Sequence, residues 1–372
     1  MTDPLSGARL IVVAPETGVG GVGDYSQDII DAVRPHVGEL VEHRTGTPGD
    51  DSVADLRRRS AEIREMVATA PGPVLVHTEL SGGSVAGFWG TAHLPDEVPV
   101  TATIHDPPHS IWWPARTRFL AEHRLLNHAL HFPLRPLSYR VQRRWLRPRT
   151  VFVLTRSGAE SIRPLYPHLE VVQVPHIVAR RPDITPPEDR PRAVGFFGLV
   201  YRGKGFEQLE RLRARLDDDI AIRVAGRGTE DLPRIDGVEI VGGVDGPEED
   251  AFFASIRALV MPYGRRSPYG MGYPASGVMA RAIAYGTPVV CTDHGALADH
   301  GDGDGVTVIR QAPEDPDELA AVVADRVRGL VDDHEALVLA GRQVQDERRR
   351  GSHEAVAAQF CATWSRLLRD AR

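Results

Sequence analysis

Short apolar runs alternate with longer stretches in which apolar residues return once per helical turn, and this continues over almost the whole chain. The short runs predict strands at residues 10–14, 39–43, 74–77, 98–104, 150–154 and 170–174 in the first half. In the second half they predict strands at 193–197, 221–225, 238–241, 258–261, 287–291 and 305–309. Helical spacing is read at 51–69, 205–216, 277–285 and 316–330. Strand–helix alternation of this kind predicts parallel sheets with helices on both faces, an α/β fold. Ligands of such sheets bind beyond the carboxyl ends of the strands.

Residues 180–191 interrupt the pattern with four prolines and almost no apolar side chains, the composition of a semi-rigid linker. The expected organisation is an N-terminal Rossmann-like domain at 1–179, a linker at 180–191, a second Rossmann-like domain at 192–350 and a terminal helix within 351–372. In that last stretch Val356, Phe360, Trp364 and Leu367 keep helical spacing, so it is expected to pack on one of the two domains. No short internal repeat is visible, which argues against a solenoid.

Composition narrows the class. The chain has 372 residues, 42% hydrophobic and 26% charged, as expected of a globular protein of about two domains. A net charge of −7 argues against a chain built to bind nucleic acid. Cys291 and Cys361 are far apart, and Cys291 lies in an apolar run, so a buried thiol and a reducing cytoplasm are expected. The apolar run at 10–14 is too short for a secretory signal, and no stretch approaches the roughly twenty apolar residues of a membrane span. The expectation is a soluble protein, at most peripheral to a membrane.

Two glycine-rich turns and one further helix start carry the candidate chemistry. Gly18-Val19-Gly20-Gly21-Val22-Gly23 follows the first predicted strand and matches GxGxxG, with Glu42 available as the acid a dinucleotide site would place after its second strand. Gly198 to Gly205 follows the strand at 193–197 and adds Arg202 and Lys204, two cations beside a helix start, which suits a diphosphate. Ser276 is a plausible N-cap for the helix that Gly286 ends, and Gly277 would offer another anion-binding terminus. Asp302-Gly303-Asp304 spells DxD but sits among turn residues and is read as a loop, so no metal site is predicted.

Residues 116–149 form the other unusual segment. Arg116, Arg118, Arg124, Arg135, Arg140, Arg143, Arg144, Arg147 and Arg149 face a single acid, Glu122, with Trp112, Trp113, Phe119, Phe132 and Trp145 adjacent or interleaved. Two occupants suit such a surface, an anionic membrane or an anionic acceptor, while an ordinary solvated helical face is the simpler alternative.

Taken in order, several of these segments resemble the GT-B glycosyltransferases, above all the retaining, nucleotide-sugar-dependent enzymes of family four. The carriers in the first half are Gly20-Gly21, Thr103-Ile104-His105-Asp106 and Val174-Pro175-His176. Those in the second are Phe197-Gly198 through Lys204-Gly205, Val224-Ala225-Gly226 and residues 282–290. The resemblance implies two Rossmann-like, doubly wound parallel-sheet domains facing a central cleft. It implies transfer of a sugar from a nucleotide-diphosphate donor to an acceptor hydroxyl with retention, using the nucleotide sugar as co-substrate and no metal or other cofactor. It further implies that Arg202 and Lys204 neutralise the departing diphosphate and that His105 lies near the transferred sugar. Gly20, Gly21, Gly198, Gly226, Ser276, Gly277 and Val278 are then donor or phosphate contacts, and Asp106 and His109 are acceptor-side candidates.

Two positions depart from the family pattern. Leu199 stands where an arginine usually follows the strand, so the cationic role moves to Arg202. Tyr273 and Arg281 stand where the family usually carries glutamates, and neither accepts hydrogen bonds as a carboxylate does. An NAD(P)-dependent oxidoreductase, a non-catalytic GT-B binding or partner subunit, and a GT-B epimerase or phosphorylase stay open as alternatives, as do the donor base, the sugar, the acceptor and the oligomeric state.

Overall fold

The computed structural model of the chain describes residues 3–18, 20–264 and 271–371. It divides into two compact units: Met1–Ile177 with Gly272–Ala275 and His353–Arg372, and Val178–Met271 with Ser276–Ser352.

The first unit is built on β1 (Arg9–Pro15), β2 (Glu39–Thr45), β3 (Val74–Leu80), β4 (Val100–Ile104), β5 (Thr150–Val153) and β6 (Glu170–Gln173). They form one sheet in the order β2-β1-β3-β4-β5-β6 with every neighbouring pair parallel. Its helices are α1 (Gly21–Val33), α2 (Val53–Ala68), α3 (Val85–Thr91), α4 (Arg118–Glu122), α5 (Arg124–His131), α6 (Arg135–Trp145) and α7 (Arg156–Ile162). β1 shows why its sequence is almost continuously apolar. Leu10, Val12 and Ala14 pack with Tyr25, Ile29 and Val33 of α1, while Ile11 and Val13 pack on the opposite face with Ile63 of α2. A strand buried on both faces has no polar side to alternate with.

The second unit contains β7 (Ala193–Phe197), β8 (Ala221–Ala225), β9 (Val238–Gly242), β10 (Ala258–Met261), β11 (Val289–Thr292) and β12 (Val306–Ile309). Their order is β12-β11-β10-β7-β8-β9, again all parallel. Its helices are α8 (Leu209–Arg213), α9 (Pro247–Ala254), α10 (Gly277–Ala284), α11 (Pro316–Val331) and α12 (His334–Arg350). α8 and α11 cover one face, where Leu212, Val323 and Val327 meet Val194 and Val260. α9 and α10 cover the other, where Phe253, Met279 and Ile283 meet Ala193, Leu259 and Cys291. Two parallel sheets, each wrapped by helices, make the GT-B architecture that the sequence pattern implies.

The last helix, α13 (His353–Asp370), belongs to the first unit. Phe360 stacks on Phe152 of β5 with ring centroids 4.0 Å apart, and the buried Trp364 Nε1–H donates to Thr101 Oγ1 at 3.0 Å.

Some expectations change in detail. The helix expected at 205–216 is a single 3-10 turn, Phe206–Gln208, followed by the short α8. α12 was not anticipated, because its buried stripe is only Leu337, Gly341 and Val344 among charged neighbours. Asp302–Asp304 forms a 3-10 turn before β12, in keeping with a loop. Cys291 is buried, and burial pushes its thiol up to about 12. No helix among the described residues is long and apolar enough to cross a membrane.

Candidate donor and catalytic residues

In the second unit, three backbone segments converge at the carboxyl ends of β7 and β8. Gly198 adopts φ +114° and its N–H donates to Ala225 O at 2.9 Å. Gly226 adopts φ +128° and its N–H donates to Gly242 O at 2.8 Å. A Cβ on Gly226 would lie 2.2 Å from Gly198 O, and one on Gly198 would lie 2.8 Å from Val278 Cγ2. Both conformations and both contacts therefore require glycine. Val278 is in the first turn of α10, whose start is fixed by Ser276: its hydroxyl oxygen accepts the Met279 N–H at 3.3 Å. The N–H groups of Gly277 and Val278 bond to no described residue, as at any helix N-terminus without a ligand. The structure thus brings Gly198, Gly226, Ser276, Gly277 and Val278 together.

It separates the expected cation pair. Lys204 lies between two left-handed glycines, Gly203 (φ +85°) and Gly205 (φ +84°). Its side chain is buried, its ammonium donates to Tyr263 Oη at 2.6 Å, and it lies 4.1 Å from the Tyr263 ring centroid. The Tyr201 ring is 5.4 Å from the same nitrogen. Aromatic faces attract a cation through the ring quadrupole. Arg202 is exposed and makes no hydrogen bond or ion pair with a described residue. Sequence spacing could not distinguish the two, since Lys204 lies against Tyr263, a residue far from it in sequence.

Arg281, at one of the positions where a glutamate was looked for, has a partner of its own. Its Nη1 lies 2.8 Å from Oε1 of the buried Glu249 on α9. Arg181 approaches the same oxygen at 3.2 Å and Tyr285 Oη donates to it at 3.0 Å. Burial pushes the Glu249 carboxyl up, against the pull of Arg181 and Tyr285. Tyr273, at the other position, lies in the segment that belongs to the first unit: its N–H donates to Pro107 O at 2.8 Å and its carbonyl accepts from Thr155 Oγ1 at 2.9 Å.

In the first unit the glycine turn precedes α1. Val19 lies outside the described residues. Gly20 is the N-cap, and its carbonyl accepts the N–H groups of Gly23 and Asp24. A Cβ on Gly23 would lie 2.0 Å from Glu16 O, whereas Gly20 and Gly21 open onto space with nothing within 4 Å. Asp24 Oδ1 accepts the Gly18 N–H at 2.8 Å, so the turn supplies an anion of its own. Glu42 is held by Arg34 at 2.6 Å and Arg44 at 2.7 Å. Glu42, the acid of a dinucleotide-like reading, is thus engaged by two arginines within the protein.

His105 directly follows β4, with its backbone N–H on Leu80 O. Its Nε2 lies 2.7 Å from Oε2 of Glu79, a fully buried carboxylate that sequence reading missed. Glu79 Oε1 lies 3.2 Å from His77 Nε2, and His77 Nδ1 lies 2.9 Å from Thr101 Oγ1. Burial alone would raise the Glu79 carboxyl, but the hydrogen bonds from His105 and His77 outweigh it and bring it down to about 2. Glu79 is therefore an acceptor only, which makes Nε2 the donor in both histidines. Trp364 Nε1–H donates to Thr101, whose hydroxyl lies against His77 Nδ1, and His77 Nε2–H donates to Glu79. The readable signal was the strand VLVHTEL itself, which places two ionisable side chains on one face of an apolar strand.

Tyr25 sits edge-on to both His105 (4.9 Å) and His176 (5.1 Å). His176 Nδ1–H donates to Ile177 O at 2.6 Å, and burial lowers its imidazole to about 4, so it stays neutral. The acceptor-side candidates have local tasks. Asp106 Oδ2 accepts the Gly82 N–H at 2.7 Å and pins the loop after β3. His109 Nε2 lies 3.2 Å from Tyr139 Oη, its Nδ1 is buried without a partner, and burial together with Arg135 and His131 lowers its basicity. Among the described residues no group of three His, Cys, Asp or Glu side chains is gathered as a metal site would require.

Comparison with known proteins adds three findings. Residues 191–328 match the family model described as "Glycosyl transferases group 1". No curated protein matches the chain. Solved structures match over nearly its whole length. Sucrose-phosphate synthase from Thermosynechococcus elongatus is 14% identical with a TM-score of 0.68, covering 98% of this chain and 99% of that one. Anabaena Alr3699/HepE, solved with UDP and glucose, is 13% identical with a TM-score of 0.63, covering 96% and 99%. AviGT4, a glycosyltransferase involved in avilamycin A biosynthesis, is 18% identical with a TM-score of 0.57, covering 97% and 98%. At these identities the likeness shows the fold.

Proposed function

We propose that the chain is a glycosyltransferase that moves a sugar from a nucleotide-diphosphate donor to an acceptor hydroxyl with retention of configuration. The observation that carries this reading is the convergence of Gly198, Gly226 and the α10 N-terminus, inside the segment that matches the group 1 family model. Breaking the bond from the anomeric carbon to the donor oxygen places negative charge on the leaving diphosphate and oxocarbenium-like charge on the sugar. The N–H groups of Gly277 and Val278 and the ammonium of Lys204 stabilise that diphosphate, and exposed Arg202 adds a weaker contribution. His105, with Nε2–H fixed by Glu79, presents Nδ1 for a sugar hydroxyl. Retention is inferred from the family resemblance, which calls for no side-chain nucleophile.

The test is thermal unfolding with excess UDP, GDP, TDP, ADP and NAD⁺, followed by turnover of the matching nucleotide sugar. UDP comes first because Anabaena Alr3699/HepE was solved with it. A nucleoside diphosphate at about one hundred times its dissociation constant should stabilise the fold by about 2.7 kcal/mol. Stabilisation by NAD⁺ alone would overturn the reading. A second reading, a binding subunit without transfer activity, draws on Arg281, whose guanidinium is committed to Glu249 where the resembled enzymes carry a carboxylate. Diphosphate binding without turnover of any nucleotide sugar would select it.

A further inference from the structure

Thirteen large hydrophobic side chains stand exposed among the described residues, and seven of them fall between Trp112 and Leu137. The centre of this group is α5, none of whose described residues is buried. Leu125 is 88% exposed, Leu126 and Leu130 lie one turn apart, and Phe132 follows at 64%. Phe119 on α4 and Leu137 on α6 are exposed on either side. A helix that leaves Leu125 almost wholly in water and Leu126 and Leu130 more than a third exposed, with none of its described residues buried, presents apolar surface on which a partner can dock.

The charge around this patch is one-sided. Residues 116–149 hold nine arginines and one acid. Some of these arginines serve the fold: Arg147 donates to the carbonyls of Leu94, Pro95 and Val98, Arg118 reaches Asp55 and the Asp50 carbonyl, and Arg143 Nε donates to Leu165 O at 2.9 Å. Arg140, Arg143 and Arg144 stand exposed on α6, whose buried side is formed by Ser138 and Gln142. Leu137, Arg140 and Arg144 share one helical face, apolar at its start and cationic at its end. In a net acidic protein this concentration of cations beside bare leucines is a local construction.

We infer that α4–α6 is a docking surface for an anionic lipid bilayer, with Leu125, Leu126, Leu130 and Phe132 entering the acyl boundary and the α6 arginines meeting the headgroups. Charge complementarity separates this occupant from the others. A second copy paired about a two-fold axis would set arginine rows against arginine rows. A soluble polyanion would satisfy the arginines and leave Leu125 and Phe132 in water. An anionic bilayer takes both halves of the surface at once. The inference is independent of the donor-site reading, since every residue it uses lies in the first unit and outside the proposed transfer site.

The experiment is flotation of the full chain with vesicles of mixed phosphatidylglycerol and phosphatidylcholine, and with vesicles of phosphatidylcholine alone. The chain should float with the anionic vesicles, stay behind with the neutral ones, and release as salt is raised. Leu125→Glu/Phe132→Glu and, separately, Arg140→Glu/Arg144→Glu should each weaken partitioning by about tenfold or more. Leu339→Glu, an exposed leucine on α12, should leave it unchanged. All variants alter exposed positions, and matching unfolding curves confirm that they fold. Three results would overturn the inference: no binding to anionic vesicles, equal binding by Leu125→Glu/Phe132→Glu, or binding to a soluble polyanion or a second copy with none to vesicles.

Discussion

Glu79 Oε2 lies 2.7 Å from His105 Nε2, so a fully buried carboxylate sets which nitrogen of the candidate catalytic histidine carries the proton. A carboxylate behind an imidazole fixes ring orientation and raises basicity at the opposite nitrogen. Glu79→Gln keeps the shape but removes the charge. Turnover should fall by about 10–100-fold with little change in donor KM, and the pH profile of kcat should shift. Glu79→Asp should recover part of the loss if the charge is what matters. An unchanged pH profile would reduce Glu79 to a packing role.

The same cluster predicts acid sensitivity in two stages. His176 has its folded pKa depressed to about 4 from an ordinary 6.5, so its contribution is complete above about 6.5 and is lost as the pH falls toward 4. Glu79 has its folded pKa depressed to about 2 from 4.5, so its contribution is present above about 4.5 and is lost as the pH falls toward 2. Urea midpoints measured across this range should fall in both windows. His176→Gln should flatten the upper one and leave the lower.

Lys204→Met keeps the buried stem and removes the charge. Nucleoside-diphosphate affinity should drop by about tenfold or more, equivalent to about 1.4 kcal/mol, while the unfolding temperature changes little. Arg202→Met should cost less affinity, because a solvated cation at the surface contributes little. Titration calorimetry of both variants checks the order, and a reversal would make Arg202 the principal phosphate contact.

Gly226→Ala would force a Cβ to 2.2 Å from Gly198 O at φ +128°. The fold should lose more than about 1 kcal/mol, read as a lowered urea midpoint. Gly20→Ala meets nothing within 4 Å and should leave stability within about 0.5 kcal/mol. Any loss of ligand affinity in Gly20→Ala then reports close approach of a ligand rather than damage to the turn.

Arg281→Leu removes one of two arginines from the buried Glu249 and should destabilise by about 1–2 kcal/mol, tempered by partial exposure and by Arg181. Arg281→Glu should be worse, since it sets two carboxylates together. Glu249→Gln should rescue much of that loss in the double variant, as denaturation midpoints would show.

The central strands β1, β3, β4, β5, β7, β10 and β11 were legible because each is short, mostly apolar and bounded by turns, and burial on both faces leaves no alternating pattern to confuse with a surface element. α12 was illegible for the converse reason: Leu337, Gly341 and Val344 are too few apolar positions to announce a helix of that length. The need for glycine at Gly198 and Gly226 was readable, since each follows an apolar strand at a sharp turn. The difference between Lys204 and Arg202 was not, because Lys204 lies against Tyr263, a contact between residues far apart in sequence. Glu79 was overlooked because a carboxylate inside a strand reads as an exception until His77 and His105 are seen on either side of it.

The hydrogen bond from Trp364 to Thr101 spans 263 positions, and Phe360 closes over Phe152 in the same core. As the chain leaves the ribosome, the sheet of the first unit and α1 are synthesised early, but the part of that face beside α1 that α13 covers stays open until α13 emerges. For most of synthesis Phe152 and the His77 side of β3 lack Phe360 and Trp364 as neighbours. The first unit is therefore the last to be finished, and a fragment ending before α13 would expose the surface that chaperones and aggregation compete for.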